Sequence, residues 1–118
     1  MNNPFDFFDK IYCINLDSRK DRWEKCKEKF ALLGIEDRVE RFSGITLSHL
    51  PDLNPKIRGR AGCVLSHASI LRKAMELQLG NYLVLEDDFD LCYDSNECLK
   101  SLSSSQKELP NDWHIFYL

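Results

Sequence analysis

The sequence predicts an α/β domain in which a mainly parallel sheet is covered by flanking helices. Short strand-type segments alternate along the chain with longer segments of helical period. The strand-type segments are continuously apolar, as strands buried on both faces are, and not apolar at every second residue. The chain has 118 residues, the size of one small domain that buries about two-thirds of its unfolded surface around a single core.

Residues 10–16 (KIYCINL) are short, β-branched and aromatic, which suits a buried strand. Asp17 and Ser18 then offer an N-cap. Trp23, Cys26, Phe30 and Leu33 follow as one apolar helical stripe, and Gly34 is a natural stop. Residues 39–42 read as a second short strand. From 43 to 60 the pattern dissolves into Gly, Ser and two prolines, the composition of a loop. Residues 62–79 read as a helix with an apolar band of Val64, Ala68, Leu71 and Met75, flanked by Ile70 and Ala74 and closed by Gly80. Residues 82–85 form a third strand, 96–107 a weaker helix and 113–118 (WHIFYL) a fourth strand. The chain stops inside that apparent strand without a polar tail. It reads as a single domain over 1–118 that is cut short at its carboxyl end.

Composition excludes several classes. At 43% hydrophobic and 11% aromatic residues, the chain is not disordered. No stretch approaches the ~20 apolar residues of a membrane span, and the N-terminus (MNNPFDFFDK) lacks a basic, then apolar, leader. The expected location is cytoplasmic, with peripheral membrane association left open. The five cysteines include no Cys-x-x-Cys pair and read as reduced core residues. A net charge of -3 decides little, but its distribution is uneven. Six of the 19 acids fall between Glu86 and Glu97, and no Lys or Arg occurs from Ala74 to Leu99. Basic residues gather instead between Arg19 and Lys29 and between Lys56 and Arg60. Such a pattern suggests a polar site of both signs, not a nucleic-acid surface.

Ligands of open α/β sheets bind beyond the carboxyl ends of the strands, and two strands end in polar clusters. The first holds Asn15, Asp17, Arg19 and Arg22. The helical period turns Arg19 and Arg22 back toward the sheet edge, near a helix N-terminus, where they suit a phosphate or a neighbouring carboxylate. The alternative is that they are solvated or pair with Asp17 and Asp21. The second cluster, in NYLVLEDDFDL, is Glu86, Asp87 and Asp88. Adjacent carboxylates can share a hard cation, Mn²⁺ or Mg²⁺, which would relieve their repulsion and bridge to a diphosphate; the alternative is a hydrated, capping turn. Within the triplet, Asp88 is expected to ligate directly and Glu86 to turn inward toward an arginine. His67 falls on the predicted apolar face, where a lone His is more often a hydrogen-bonded core residue than a catalyst, and Ser66 at its edge could reach a ribose or base. Lys56, Arg58 and Arg60 could engage phosphates from a mobile loop.

The stretches IYCINLDSRKDRW, RFSGI, GCVLSHASIL, YLVLEDDFDL and DWHIFYL together resemble the successive motifs of the family-25 glycosyltransferases, the lipopolysaccharide-type and collagen-type galactosyltransferases. Any one motif is weak; five in order are specific. The resemblance implies a GT-A fold, Rossmann-like in its nucleotide-sugar-binding half. It also implies a nucleotide-sugar donor, commonly UDP-galactose, and inverting transfer to a glycan acceptor, a lipooligosaccharide or a protein-linked sugar. Glu86, Asp87 and Asp88 would then stand in the role of the family's Asp-x-Asp motif, Glu86 and Asp88 on the metal and Asp87 with Asn15, Asp17, Arg19, Arg22, Ser66 and His67 on the donor. Inverting transfer needs a base on the acceptor hydroxyl, and none is assigned here; in the family it follows the last strand. The second reading is a truncated or degenerate module that binds a nucleotide sugar or a protein partner without catalysis. A phospho-acceptor receiver domain fits the length, but expects paired acids after the first strand, where Asn15 and Asp17 precede arginines.

Overall fold

Strand β1 (Ile11–Asn15) is the centre of the molecule. A computed structural model describes residues 3–118 of the chain. In it β1 pairs in parallel with β2 (Val39–Ser43) on one side and β3 (Leu83–Glu86) on the other, giving the order β2-β1-β3. The register sets Asn15 beside Ser43 and Ile14 beside Glu86. All three strands therefore deliver their carboxyl ends to one edge, as predicted. Ile11, Tyr12 and Cys13 are wholly buried, which explains their unbroken apolar pattern.

Strand alternation sends Ile11 and Cys13 to one face and Tyr12 and Ile14 to the other. On the first face lies α1 (Lys20–Leu33), whose stripe of Cys26, Phe30 and Leu33 is buried with Phe5, Phe8, Ile35 and Leu102 in one core. Gly34 ends this helix at φ 71°, a left-handed position that only glycine takes without strain. The N-cap is Arg19, without a side-chain cap bond, and not Asp17 or Ser18. Helix α3 (Ser95–Lys107), capped by Asp94 on the Glu97 amide, adds Leu102 to the core. A short turn of 3-10 helix, Pro4–Phe7, carries Phe5 and was not foreseen.

The second face is covered by α2 (Pro55–Glu76), which departs from the sequence prediction in three ways. It begins at Pro55, inside the segment predicted as loop, because Asn54 caps the Lys56 amide and proline is well suited to the first helical position. Its chain reversal uses Gln78 at φ 55°, not Gly80. Its buried stripe is Gly62, Ser66, Ile70 and Ala74, whereas the predicted band faces outward, with Val64 66%, Leu71 50% and Met75 70% exposed. Close approach explains the choice. A Cβ on Gly62 would lie 2.4 Å from the Ile45 carbonyl oxygen, and the Ser66 hydroxyl accepts from the Ile45 amide at 2.9 Å while donating to the Gly62 carbonyl.

Residues 113–118 form no strand. Ile115 and Tyr117 are 73% and 87% exposed, and the segment is held by aromatic contacts instead, Trp113 stacking on Phe7 and Phe116 packing on the core. At the opposite sheet edge Asp9 accepts from the Gly80 amide, and Asn81 returns a bond to the Phe7 carbonyl, tying the N-terminal segment to the start of β3. Among the described residues no helix is long and apolar enough to cross a membrane.

Two glycines of α2 should respond to alanine with opposite signs. Gly62→Ala must push α2 off the turn after β2 and should cost on the order of 1–3 kcal/mol. Gly59→Ala meets nothing within 4 Å and should gain about 0.5–1 kcal/mol from helix propensity. Urea unfolding of the two variants checks both.

Candidate functional site

The acidic run at the end of β3 is divided by the geometry of the strand. Asp87 turns toward α1, with 11% of its side chain exposed. Its Oδ2 accepts from Asn15 Nδ2 at 2.8 Å and its Oδ1 from Arg22 at 3.3 Å, while the Cys26 thiol donates to its carbonyl. Glu86, predicted to turn inward to an arginine, goes instead to the α2 face, because it is one residue earlier and alternation sends it across the sheet. There its Oε1 accepts from the Cys63 thiol at 3.2 Å and lies 3.5 Å from His67 Nε2. Asp88 is exposed beyond the strand end. Asp90, largely exposed, caps the Leu91 amide and lies 3.6 Å from Lys29. The charge lacking a basic neighbour in sequence thus finds Arg22 and Lys29 across space, both from α1.

Asn15 is 2% exposed and joins three elements at this edge. Its Nδ2 donates to Asp87 and to the Arg19 carbonyl, and its Oδ1 accepts from Arg41 Nε at 2.9 Å. Arg41 continues to Asp17, whose carboxylate also accepts from Ser43 and is held below the usual range by these two bonds. Arg19 does not reach the acidic cluster: it forms a two-bond pair with Asp21, holding that carboxyl at about 2. Arg22 is the arginine that reaches Asp87.

Between the end of β3, residues 44–48 and the first turns of α2 lies a cleft of about 410 Å³, within the size range of small-ligand sites. Its charged and polar lining includes Glu86, Asp87, Asp88 and Arg22 with Arg58, Cys63 and Ser66 of α2, and Ile45 and Leu47 are among the apolar contacts. Ser66 lies at the wall with its hydroxyl committed to the Ile45 and Gly62 backbone. His67, predicted on a buried face, is exposed beside Glu86. Arg58 belongs to a helix and not to a mobile loop, and its Nε is buried without a protein partner. Sequence reasoning noted it among three basic residues, but only the helix start at Pro55 aims it into the cleft. Of the cysteines, Cys13 and Cys26 are buried as expected, whereas Cys63 and Cys92 are exposed; none is disulfide-bonded. The Glu86 carboxylate beside Cys63 raises its thiol pKa.

The fold and the site define a parallel α/β domain with a two-signed cleft at the carboxyl edge of its sheet, the usual ligand edge of such domains. Comparison with known proteins then makes the assignment specific. Residues 8–117 match the model of glycosyltransferase family 25 (LPS biosynthesis protein). Procollagen galactosyltransferase 2 of Homo sapiens is 31% identical over 94% of this chain and 20% of its own length. Procollagen galactosyltransferase 1-A of Xenopus laevis is also 31% identical, over 94% of this chain and 21% of its own. A glycosyltransferase 25 family member of Anopheles gambiae is 33% identical over 66% of this chain and 16% of its own. The chain belongs to glycosyltransferase family 25. It spans about a fifth of the length of the curated relatives it matches, and no solved structure matches it.

The Asn15 contacts make a sharp prediction. Asn15→Asp sets a second carboxylate against Asp87 and removes the donor, so it should destabilise the fold by on the order of 3 kcal/mol at neutral pH. The deficit should shrink as the pH is lowered and the facing pair takes up a proton. Urea unfolding at several pH values measures it.

Proposed function

We propose that the chain is the donor-binding part of an inverting, nucleotide-sugar-dependent glycosyltransferase of GT-A type. Its donor would be UDP-galactose or a similar hexose nucleotide, and its acceptor a glycan such as lipooligosaccharide or a protein-linked sugar. The observation that carries this is the cleft of about 410 Å³ at the carboxyl edge, whose lining brings Glu86 and Asp88 together with Arg58. Family membership, and the word galactosyltransferase in the names of several relatives, support it. A cytoplasmic location belongs to the same proposal.

The donor set fits a hard divalent cation. Asp88 is exposed at the cleft, and Glu86 has a second carboxylate oxygen beyond the one that meets Cys63. Glu86 and Asp88 would hold Mn²⁺ or Mg²⁺, which when bound neutralises charge on a departing diphosphate. The chain's own residues do the rest. Arg58 brings a guanidinium toward the diphosphate, and Arg22 a second from the α1 side. Ile45 and Leu47 offer apolar contact to the base and exclude water. Asp87 and Asn15 work indirectly, by fixing the strand end from which Glu86 and Asp88 project. Ser66 fixes the α2 wall, and His67 stands beside Glu86, outside the cleft lining. Asp17 and Arg19 are committed to Arg41 and Asp21, away from the cleft.

Calorimetric titration with UDP tests this reading. Affinity should require Mn²⁺, and Asp88→Asn should reduce it at least about tenfold while the fold survives. UDP binding of equal strength with a chelator present would overturn the metal role. Among the α1 residues, Arg22→Ala should weaken binding by roughly 10- to 100-fold, the cost of one charged hydrogen bond. Arg19→Ala should behave like Lys20→Ala and change little, because its partner is an exposed surface carboxylate.

A further inference from the structure

One cluster bordering the cleft, to which Cys63 and Glu86 contribute lining side chains, has a donor set that a hard cation does not call for. Cys63 and His67 stand one turn apart on α2 (i, i+4), so both side chains leave the same face of the helix. Alternation on β3 points Glu86 at them from the sheet. Cys63 Sγ lies 3.2 Å and His67 Nε2 3.5 Å from Glu86 Oε1, and the three ligand atoms all fall within 4.8 Å of one another. Around a tetrahedral zinc ion with ordinary bond lengths, thiolate, imidazole and carboxylate atoms are about 3.3–3.6 Å apart. The two measured separations are already there to within a few tenths of an ångström. All three residues are exposed, so rotation of exposed side chains can bring the sulfur and nitrogen together.

We infer that Cys63, His67 and Glu86 form a binding site for a single borderline divalent cation, Zn²⁺ in the first place, with its fourth position open to the cleft. The chemistry of the donors selects the ion: thiolate and imidazole favour zinc over manganese or magnesium, which take oxygen. Three protein ligands with one position left over is the arrangement of zinc sites that bind a water or a substrate atom, whereas purely structural sites close all four. Binding forms the S–Zn bond and releases the Cys63 thiol proton to solvent, breaking the present S–H to Glu86 contact. This inference rests on a different donor set from the nucleotide-sugar reading. That reading uses Asp88 and the oxygen chemistry of the strand end; this one uses sulfur and nitrogen from α2. Glu86 is the residue both would draw on.

Cobalt(II) serves as the probe, because a thiolate ligand gives it a near-ultraviolet charge-transfer band and a tetrahedral field gives it intense visible bands. The full chain, reduced, should show both, saturating at one equivalent, and one equivalent of Zn²⁺ should abolish them. Cys63→Ser should lose the charge-transfer band. His67→Ala and Glu86→Gln, both changes at exposed positions, should keep a thiolate signal but bind at least about tenfold more weakly. Cys92→Ser, a change at the other fully exposed cysteine, should bind like the parent. No thiolate band at one equivalent, a band that persists in Cys63→Ser, or His67→Ala and Glu86→Gln binding as tightly as the parent would each overturn the site.

Discussion

The bond from Asn15 to Asp87 is the constraint on which the edge of this molecule depends. A buried amide at the end of the central strand has two donors and one acceptor to satisfy, and leaving any of them unmade costs a desolvation penalty. Here all are used, toward Asp87 on β3, the Arg19 carbonyl at the start of α1, and Arg41 on β2. One side chain thereby fixes the relative positions of three elements. An apolar residue there would pack but would specify no partner. An acidic one would repel Asp87.

With Asp87 fixed, the rest of the acidic run follows from backbone geometry. Glu86 crosses to the α2 face while Asp87 turns to α1, and Asp88 lies exposed past the strand end. Arg22 neutralises the inward one at 3.3 Å. The outer two reach the cleft whose far wall is α2. That wall stands where it does because Gly62 and Ser66 permit close contact with the Ile45 backbone. The cleft therefore depends on two small residues as much as on the charged ones.

Much of this was legible beforehand. Tyr12 and Ile14 inside a continuous apolar run identified β1, Gly34 marked the end of α1, and the polar strand ends located the edge that carries the cleft. Each failure has a physical cause. Hydrophobic periodicity finds a helix face that is buried by large side chains, and α2 packs by Gly62, Ser66, Ile70 and Ala74, so the larger residues Val64, Leu71 and Met75 drew the prediction to the wrong side. Asn54-Pro55 was a helix start present in the sequence, but the surrounding Gly, Ser and proline concealed it. The WHIFYL segment has strand composition but is held by aromatic contacts instead of strand pairing. Within the site, sequence order could not separate Glu86 from Asp87, because which of two neighbours turns inward depends on strand register and on the residue waiting across the sheet.

On the function proposed above, the outward half of the acidic run at the carboxyl edge binds the diphosphate of a nucleotide through a divalent cation. Paramagnetic broadening of amide resonances by Mn²⁺ in the presence of UDP tests it most directly, since the broadening reports distance from the ion along the whole chain. The account predicts loss of signal at Asp88, its neighbours and residues 44–48 of the facing loop, with Gly80 and Asn81 at the far edge of the sheet left sharp. Broadening centred instead on Asp94 and Glu97, or spread evenly over the acidic surface, would contradict it.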